Sequence, residues 1–207
     1  MKNKLLIIGA SGHGKVVADI AKKMNEWKSI SFLDDNKRID VSMGLQIIGT
    51  SDDVLKYIDD FDIFVGVGNN SIREKLQESL EAIGATIPKL IHPSAIIGNN
   101  VEIKPGTVVM PGAVVNCSTL IGKGCIINSG ATIDHDNLIE DYVHISPGAH
   151  LAGTVKIGNG TWLGIGSIVS NNVSITKNCK IGAGAVVIND IEKGGTYMGV
   201  PAKIFKD

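Results

Sequence analysis

The chain has 207 residues, with 20 Lys and Arg against 21 Asp and Glu, so no strong electrostatic footprint for nucleic acid or an anionic membrane is expected. Hydrophobic residues make up 43%, too many for a disordered chain. Aromatics reach only 4% while glycines number 25, which excludes a core filled with rings and requires aliphatics joined by tight backbone corners.

In chain order, Lys4–Ile8 reads as a short aliphatic strand. Its apolar run stops at Gly9, too soon for a signal-peptide core or a membrane span. Residues 16–27 carry Val16, Val17, Ile20, Ala21 and Met24 at helical spacing, and Ser29–Leu33 is a second strand. Ser51-Asp52-Asp53 has the character of a helix start before 54–58. Residues 63–67 form a third strand and 71–83 another amphipathic helix. This alternation predicts a small parallel sheet of Rossmann-like order over residues 1–86.

From residue 91 the pattern changes. Every sixth residue is aliphatic: Ile91, Ile97, Ile103, Val109, Val115, Ile121, Ile127, Ile133, Ile139, Ile145, Leu151, Ile157, Leu163, Val169, Ile175, Ile181 and Val187. Four residues after each stands a mostly small or β-branched partner, such as Thr107, Ala113, Cys125, Ala131, Ala149 or Ala185. A period of six fits neither a helix nor a meander, but it fits a solenoid whose every flat side is one hexad. With three hexads per turn, residues 87–207 make between five and six coils and a C-terminal tail, a rod roughly 27 Å tall at a strand spacing of about 4.7 Å.

Between the first strand and first helix lies Gly9-Ala10-Ser11-Gly12-His13-Gly14. Glycines there allow a tight turn, and the N–H groups of a helix start attract phosphate. Asp34 and Asp35 close the second strand, where an acidic residue commonly meets a ribose. The spacing is G-x-x-G-x-G rather than G-x-G-x-x-G, and His13 would crowd a dinucleotide's pyrophosphate. The dinucleotide fingerprint therefore fails by register.

This glycine motif, Phe32-Leu33-Asp34-Asp35, and Gly66-Val67-Gly68-Asn69-Asn70-Ser71-Ile72-Arg73, set before a hexapeptide coil, resemble the family of bacterial sugar N- and O-acetyltransferases. The resemblance spans essentially the whole chain. It implies an α/β Rossmann-like N-terminal domain followed by an all-β left-handed parallel β-helix, with handedness supplied by the family alone. It also implies that Ser11, Gly12 and His13 face the phosphates of a sugar nucleotide, that Asp34 and Asp35 face its base or ribose, and that Gly68 lies near it. Arg73 reads as a phosphate contact or, more plainly, a solvated helix charge.

In the coil, His135 stands within Thr132-Ile133-Asp134-His135-Asp136-Asn137, flanked by two carboxylates that could fix its tautomer. The family motif has its catalytic base here with an acidic residue directly after it. That residue is usually Glu; here Asp136 is one methylene shorter, and either Asp134 or Asp136 could orient the ring. By resemblance His144 contacts acetyl-CoA, the Gly153 N–H holds the thioester oxyanion, Asn128 and Ile165 line the pantetheine path, and Ala183 lies near the adenosine. His135 and His144 are half a coil apart, so a shared site would draw them from different chains of a homotrimer with active sites between subunits. A catalytic metal is not expected, since His135, His144 and His150 fall on different sides of the prism.

Cys125 and Cys179 fill the small-residue slot and Cys117 has no basic neighbour in sequence, so none reads as a nucleophile. An odd number of thiols without a C-x-x-C pair fits a reduced, cytoplasmic protein. The resulting expectation is acetyl transfer from acetyl-CoA to the amino group of a nucleotide-linked amino-deoxysugar, such as UDP-4-amino-4,6-dideoxy-N-acetylglucosamine. O-acetylation of a sialic acid or related sugar, and a non-catalytic sugar-nucleotide-binding trimer, are the alternatives.

Overall fold

The computed structural model describes residues 2–205. The chain forms two compact units, 1–92 and 93–207. In the first, the elements run β1 (Lys4–Ile8), α1 (Gly12–Met24), β2 (Ser29–Leu33), β3 (Val41–Ser42), β4 (Leu45–Gln46), a 3₁₀ helix at Ser51–Lys56, β5 (Asp62–Val65) and α2 (Asn70–Ala82). The parallel sheet has the order β2-β1-β5, so β1 is central, and Ile8 lies opposite Leu33 on one side and Val65 on the other. Strands buried on both faces read as near-continuous aliphatic runs, which is why Leu5, Leu6, Ile7 and Ile8 are all buried.

Three details differ from the sequence reading. The segment after Thr50 is a 3₁₀ helix with no fully buried residue, although Val54, Tyr57 and Ile58 pack partly buried against the core. The third strand ends at Val65 because Gly66, after donating to Ile8 O at 2.8 Å, turns its backbone against Gly14 and Gly9. The boundary between the units falls after His92 rather than after residue 86, because Leu90 is fully buried and Leu90–Ile91 lies against α1.

Residues 93–191 wind into a three-sided parallel β-helix. One side is built from strands at Ile96–Ile97, Val114–Val115, Thr132–Ile133, His150–Leu151, Ile168–Val169 and Val186–Val187, each paired in parallel with the next. A second runs from Glu102–Ile103 through Leu138–Ile139 to Ser174–Ile175. A third contains Ile126–Ile127, His144–Ile145, Trp162–Leu163 and Cys179–Ile181. The axial aliphatics from Val109 to Val187 are all buried, whereas Ile97 and Ile103 in the first coil are half-buried. Each buried aliphatic contributes roughly 1.5–3 kcal/mol before chain entropy is subtracted.

In the front unit the tightest approach is at Gly14, where a Cβ would lie 1.8 Å from Gly9 O. Gly14→Ala is therefore expected to push α1 off β1 and destabilise the fold by about 3 kcal/mol or more, measured by urea unfolding.

Candidate active site

His135 occupies the corner between Thr132–Ile133 and Leu138–Ile139. Successive side chains of a strand point to opposite faces, but Asp136 has φ +57°, in the left-handed region. That local reversal brings the two side chains together, and His135 Nδ1–H donates to Asp136 Oδ2 at 2.7 Å. An ionised carboxylate can only accept, so the proton of the neutral ring lies on Nδ1 and Nε2 is left as the acceptor. The Asp136 hydrogen bond, helped by the nearby Asp134 and Asp136 charges, holds the His135 pKa above its ordinary value. Asp134 is otherwise engaged. Its Oδ1 accepts from Asn116 Nδ2 at 3.0 Å and from the His135 backbone N–H at 2.9 Å, and these bonds hold its carboxyl below the usual range. The carboxylate on the ring is thus that of Asp136.

One coil later in the same corner lies Gly153, with Thr154 N donating to His135 O at 2.9 Å. The imidazole covers Gly153 so closely that a Cβ there would meet His135 Cε1 at 2.6 Å and Nε2 at 2.7 Å. Among the described residues the Gly153 N–H has no acceptor. At equivalent corner positions this N–H is removed by proline (Pro105, Pro111, Pro147), met by a side-chain oxygen (Lys123, Ser129, His135, Asn159), or left open as at Gly153 (Cys117, Asp141, Ile165 and Lys177 among them). Among these, only the open donor at Gly153 lies under the His135 ring. An exposed imidazole poised to accept a proton therefore sits beside a backbone donor with nothing to bind.

The remaining coil residues named from the sequence lie elsewhere on the prism. His144 is on the third side, where its Nε2 is 3.1 Å from Asn128 Nδ2 and its ring stacks on Trp162 with centroids 5.8 Å apart. Ile165 and Ala183 form successive steps of the corner that follows that side, with Gly184 N donating to Ile165 O at 2.8 Å. Within one chain, His135 with Gly153 and His144 with Asn128 belong to different parts of the coil. Two grooves of about 460 and 400 Å³ run along the second side, lined in part by Leu138, Lys104, Glu140 and Lys156, and His135 lines neither.

In the front unit, the carboxyl ends of β1, β2 and β5 lead into the turns that carry Ser11, Asp34 and Gly68. Ser11 caps α1 without a side-chain hydrogen bond, and the first turn holds no acidic residue, so this helix end keeps its affinity for an anion. Gly12 is open, with nothing near a would-be Cβ, and Gly68 faces the Cβ of His13. Asp34 braces the turn itself, accepting from Ala10 N at 2.6 Å and Asn36 N at 2.9 Å. Asp35 accepts from Ser51 N at 2.9 Å while its side chain stays at the surface. Arg73 is not a solvated charge. It is 1% exposed, and its guanidinium donates to Val67 O, Gly68 O and Asn70 Oδ1. Burial, with the Arg73 charge behind it, lowers the His13 pKa to about 4. The ring is thus neutral at pH 7, and its Nε2 is buried without a partner.

Sequence reasoning misread one residue here and missed another. The burial of Arg73 was hidden by its place on an otherwise polar helix. Asn137, in the corner behind His135, had a signal in being an amide where neighbouring hexads hold Ala, Cys, Thr or Val. Among the described residues no three His, Cys, Asp or Glu side chains cluster as a metal site would require, and no helix is long and apolar enough to cross a membrane.

Known proteins resemble the chain in sequence and fold. Residues 4–80 match the PglD N-terminal domain, and residues 154–189 match the bacterial transferase hexapeptide family of six repeats. The acetyltransferase domain of PglB from Neisseria gonorrhoeae FA1090, solved in complex with acetyl coenzyme A, is 42% identical over 99% of this chain and 100% of that one, with a TM-score of 0.96. A histidine-to-asparagine variant of perosamine N-acetyltransferase from Caulobacter crescentus, in complex with CoA and GDP-perosamine, is 32% identical over 99% and 97%, with a TM-score of 0.94. UDP-N-acetylbacillosamine N-acetyltransferase of Bacillus subtilis (strain 168) is 38% identical over 113 residues, about half of each chain (53% of this one and 52% of that one). The chain belongs to the sugar acetyltransferase family that joins a PglD-type N-terminal domain to a hexapeptide-repeat β-helix.

Two predictions follow from the geometry. Gly153→Ala leaves the backbone free to fold but displaces the His135 ring, so acetyl transfer should fall at least about tenfold while the thermal midpoint changes little. For His13, the unfolded chain takes up a proton below pH 6.5 that the folded chain refuses until about pH 4. This penalty on folding is absent above pH 6.5 and grows as the pH falls to about 4, reaching on the order of 3 kcal/mol. In urea titrations across that range, His13→Gln should lose this part of the acid sensitivity.

Proposed function

We propose that the chain transfers the acetyl group of acetyl-CoA to the amino group of a nucleotide-linked amino-deoxysugar, with His135 as general base. The carrying observation is the His135–Asp136 pair, 2.7 Å apart, beside the uncapped Gly153 N–H. The amine nitrogen attacks the thioester carbonyl carbon and passes its proton to His135 Nε2. The Gly153 N–H stabilises the oxyanion of the tetrahedral adduct. Collapse of the adduct breaks the carbon–sulfur bond and releases the CoA thiolate, which takes up a proton, leaving an amide on the sugar. General-base help of this kind is worth typically 10²–10⁴-fold, and an oxyanion donor about 10²–10³-fold.

The substrate assignment draws on the relatives. One is named for a UDP-linked amino sugar and another was solved with a GDP-linked one. The start of α1 has the chemistry for a diphosphate, since it offers free helix N–H groups and the neutral His13 as a hydrogen-bonding partner rather than a competing cation. The separation of His135 from His144 and Asn128 within one chain supports a homotrimer in which a neighbouring subunit brings the acetyl-CoA side, Asn128, His144, Ile165 and Ala183, to each base.

The test is CoA release from acetyl-CoA with UDP-4-amino-4,6-dideoxy-N-acetylglucosamine as acceptor, its 4-hydroxyl analogue serving as control. The amine should turn over and the hydroxyl should not. His135→Ala should lower kcat by about 10²–10⁴-fold; wild-type turnover in that variant would overturn the base. Because Asp136 holds the His135 pKa up and only the neutral ring can accept a proton, Asp136→Asn should lower kcat and move the acidic limb of the pH–rate profile to lower pH.

A further inference from the structure

Asn137 is 1% exposed and fills the small-residue slot directly behind the corner that carries His135 and Gly153. Its amide joins the two coils of that corner. Nδ2 donates to Asp134 O at 2.6 Å and to Ala152 O at 3.0 Å, with a longer approach to His135 O at 3.3 Å, while Oδ1 accepts from Val155 N at 2.9 Å. Ala152 O belongs to the same peptide unit as the Gly153 N–H. In a trans peptide the C=O and N–H point in opposite directions. With the carbonyl held inward by Asn137, the Gly153 N–H is aimed outward, and a carbonyl that accepts a hydrogen bond also polarises its peptide unit and strengthens the donor at the other end.

Other coils do a lesser version of this with a hydroxyl. Thr107 Oγ1 donates to Gly122 O at 2.7 Å, Thr119 Oγ1 to Asp134 O at 2.9 Å and Thr161 Oγ1 to Thr176 O at 2.9 Å, one carbonyl each. Only the slot behind His135 and Gly153 is occupied, among the described hexads, by an amide that grips both strands of the corner.

We propose that Asn137 is a positioning residue for acetyl transfer, holding the Ala152–Gly153 peptide so that its N–H meets the thioester oxyanion. This rests on the roles given above to Gly153 and His135. Asn137→Val removes the donor and keeps a side chain of the kind that Val143 and Val155 place in the same slot. Asn137→Thr restores one hydroxyl donor toward Ala152 O, as Thr161 supplies to Thr176 O. Thr161→Val removes an equivalent bond away from the corner.

In the CoA-release assay, Asn137→Val is expected to lower kcat about 10- to 100-fold, with KM for acetyl-CoA within about threefold of wild type. The acidic limb of its pH–rate profile should not move, because the His135–Asp136 pair is intact. Asn137→Thr should recover kcat to within about fivefold, and Thr161→Val should match wild type. Wild-type kcat in Asn137→Val, or an equal loss in Thr161→Val, overturns the proposal. If Asn137→Val does not fold, Asn137→Cys replaces it, since Cys125 occupies the same slot and its thiol is a weak donor. A loss of at least about fivefold supports the role, and wild-type kcat overturns it. His135→Ala is run alongside. If it turns over like wild type, the general-base reading itself has failed; if it is inactive while the Asn137 variants are unaffected, only the role of Asn137 has.

Discussion

Stacking of one aliphatic on another every eighteen residues holds the coil of residues 93–191 in register, and the candidate site is a product of that stacking. Whatever stands at position 135 must lie over position 153, and whatever fills slot 137 must face the carbonyl fifteen residues on. The coil thereby turns distance along the chain into contact at a chosen corner without any long loop to order. It also explains the scarcity of rings: a core three short sides across has room for Ile, Val and Leu but not for Phe. The ladder leaves N–H groups at each corner outside its scheme, the slot N–H being met by a side chain as at Val155 and Cys125, and the Gly153-type N–H being present at every corner that is not a proline. At Gly153 that donor is neither removed nor capped.

The front unit uses buried polarity differently. Asp34 and Arg73 both lie at the carboxyl end of the sheet, yet each is turned toward the backbone of a loop: Asp34 toward Ala10 and Asn36, Arg73 toward Val67 and Gly68. They stiffen the two turns that present α1 and α2, and a buried charge kept in hydrogen bonds is tolerated where an unpaired one would not be. The free hydrogen-bonding capacity is left to the α1 N–H groups and to His13, which Arg73 helps keep neutral.

Most of this architecture could be read from the residues. The hexad period predicted the coil because a six-residue repeat leaves few other ways to bury every sixth side chain, and the aliphatic run 5–8 marked the central strand. The β3–β4 hairpin could not be read, since its turn places Met43 at φ +53° beside Gly44, and methionine carries no turn signal. The choice between Asp134 and Asp136 was equally hidden. It depends on Asp136 adopting φ +57°, a backbone state that the alternation rule for strands does not anticipate. The burial of Arg73 was invisible for a different reason: an arginine among Glu74, Lys75 and Glu78 has the pattern of a surface, and only the turn at 67–68 calls it inward.

A perfect repeat carries an ambiguity of its own. Sliding the chain along the rod by one full turn would still seat an aliphatic at every axial place, so the apolar core alone does not say which coil is which. Asn137 breaks that degeneracy. Displaced by one turn, its amide would stand in the slot of Thr119 or Val155, and the Ala152 carbonyl it now serves would be orphaned in a dry interior. The polar slots therefore act as indexing marks for the winding chain, and the mark nearest the chemistry is also the one with the most bonds to lose.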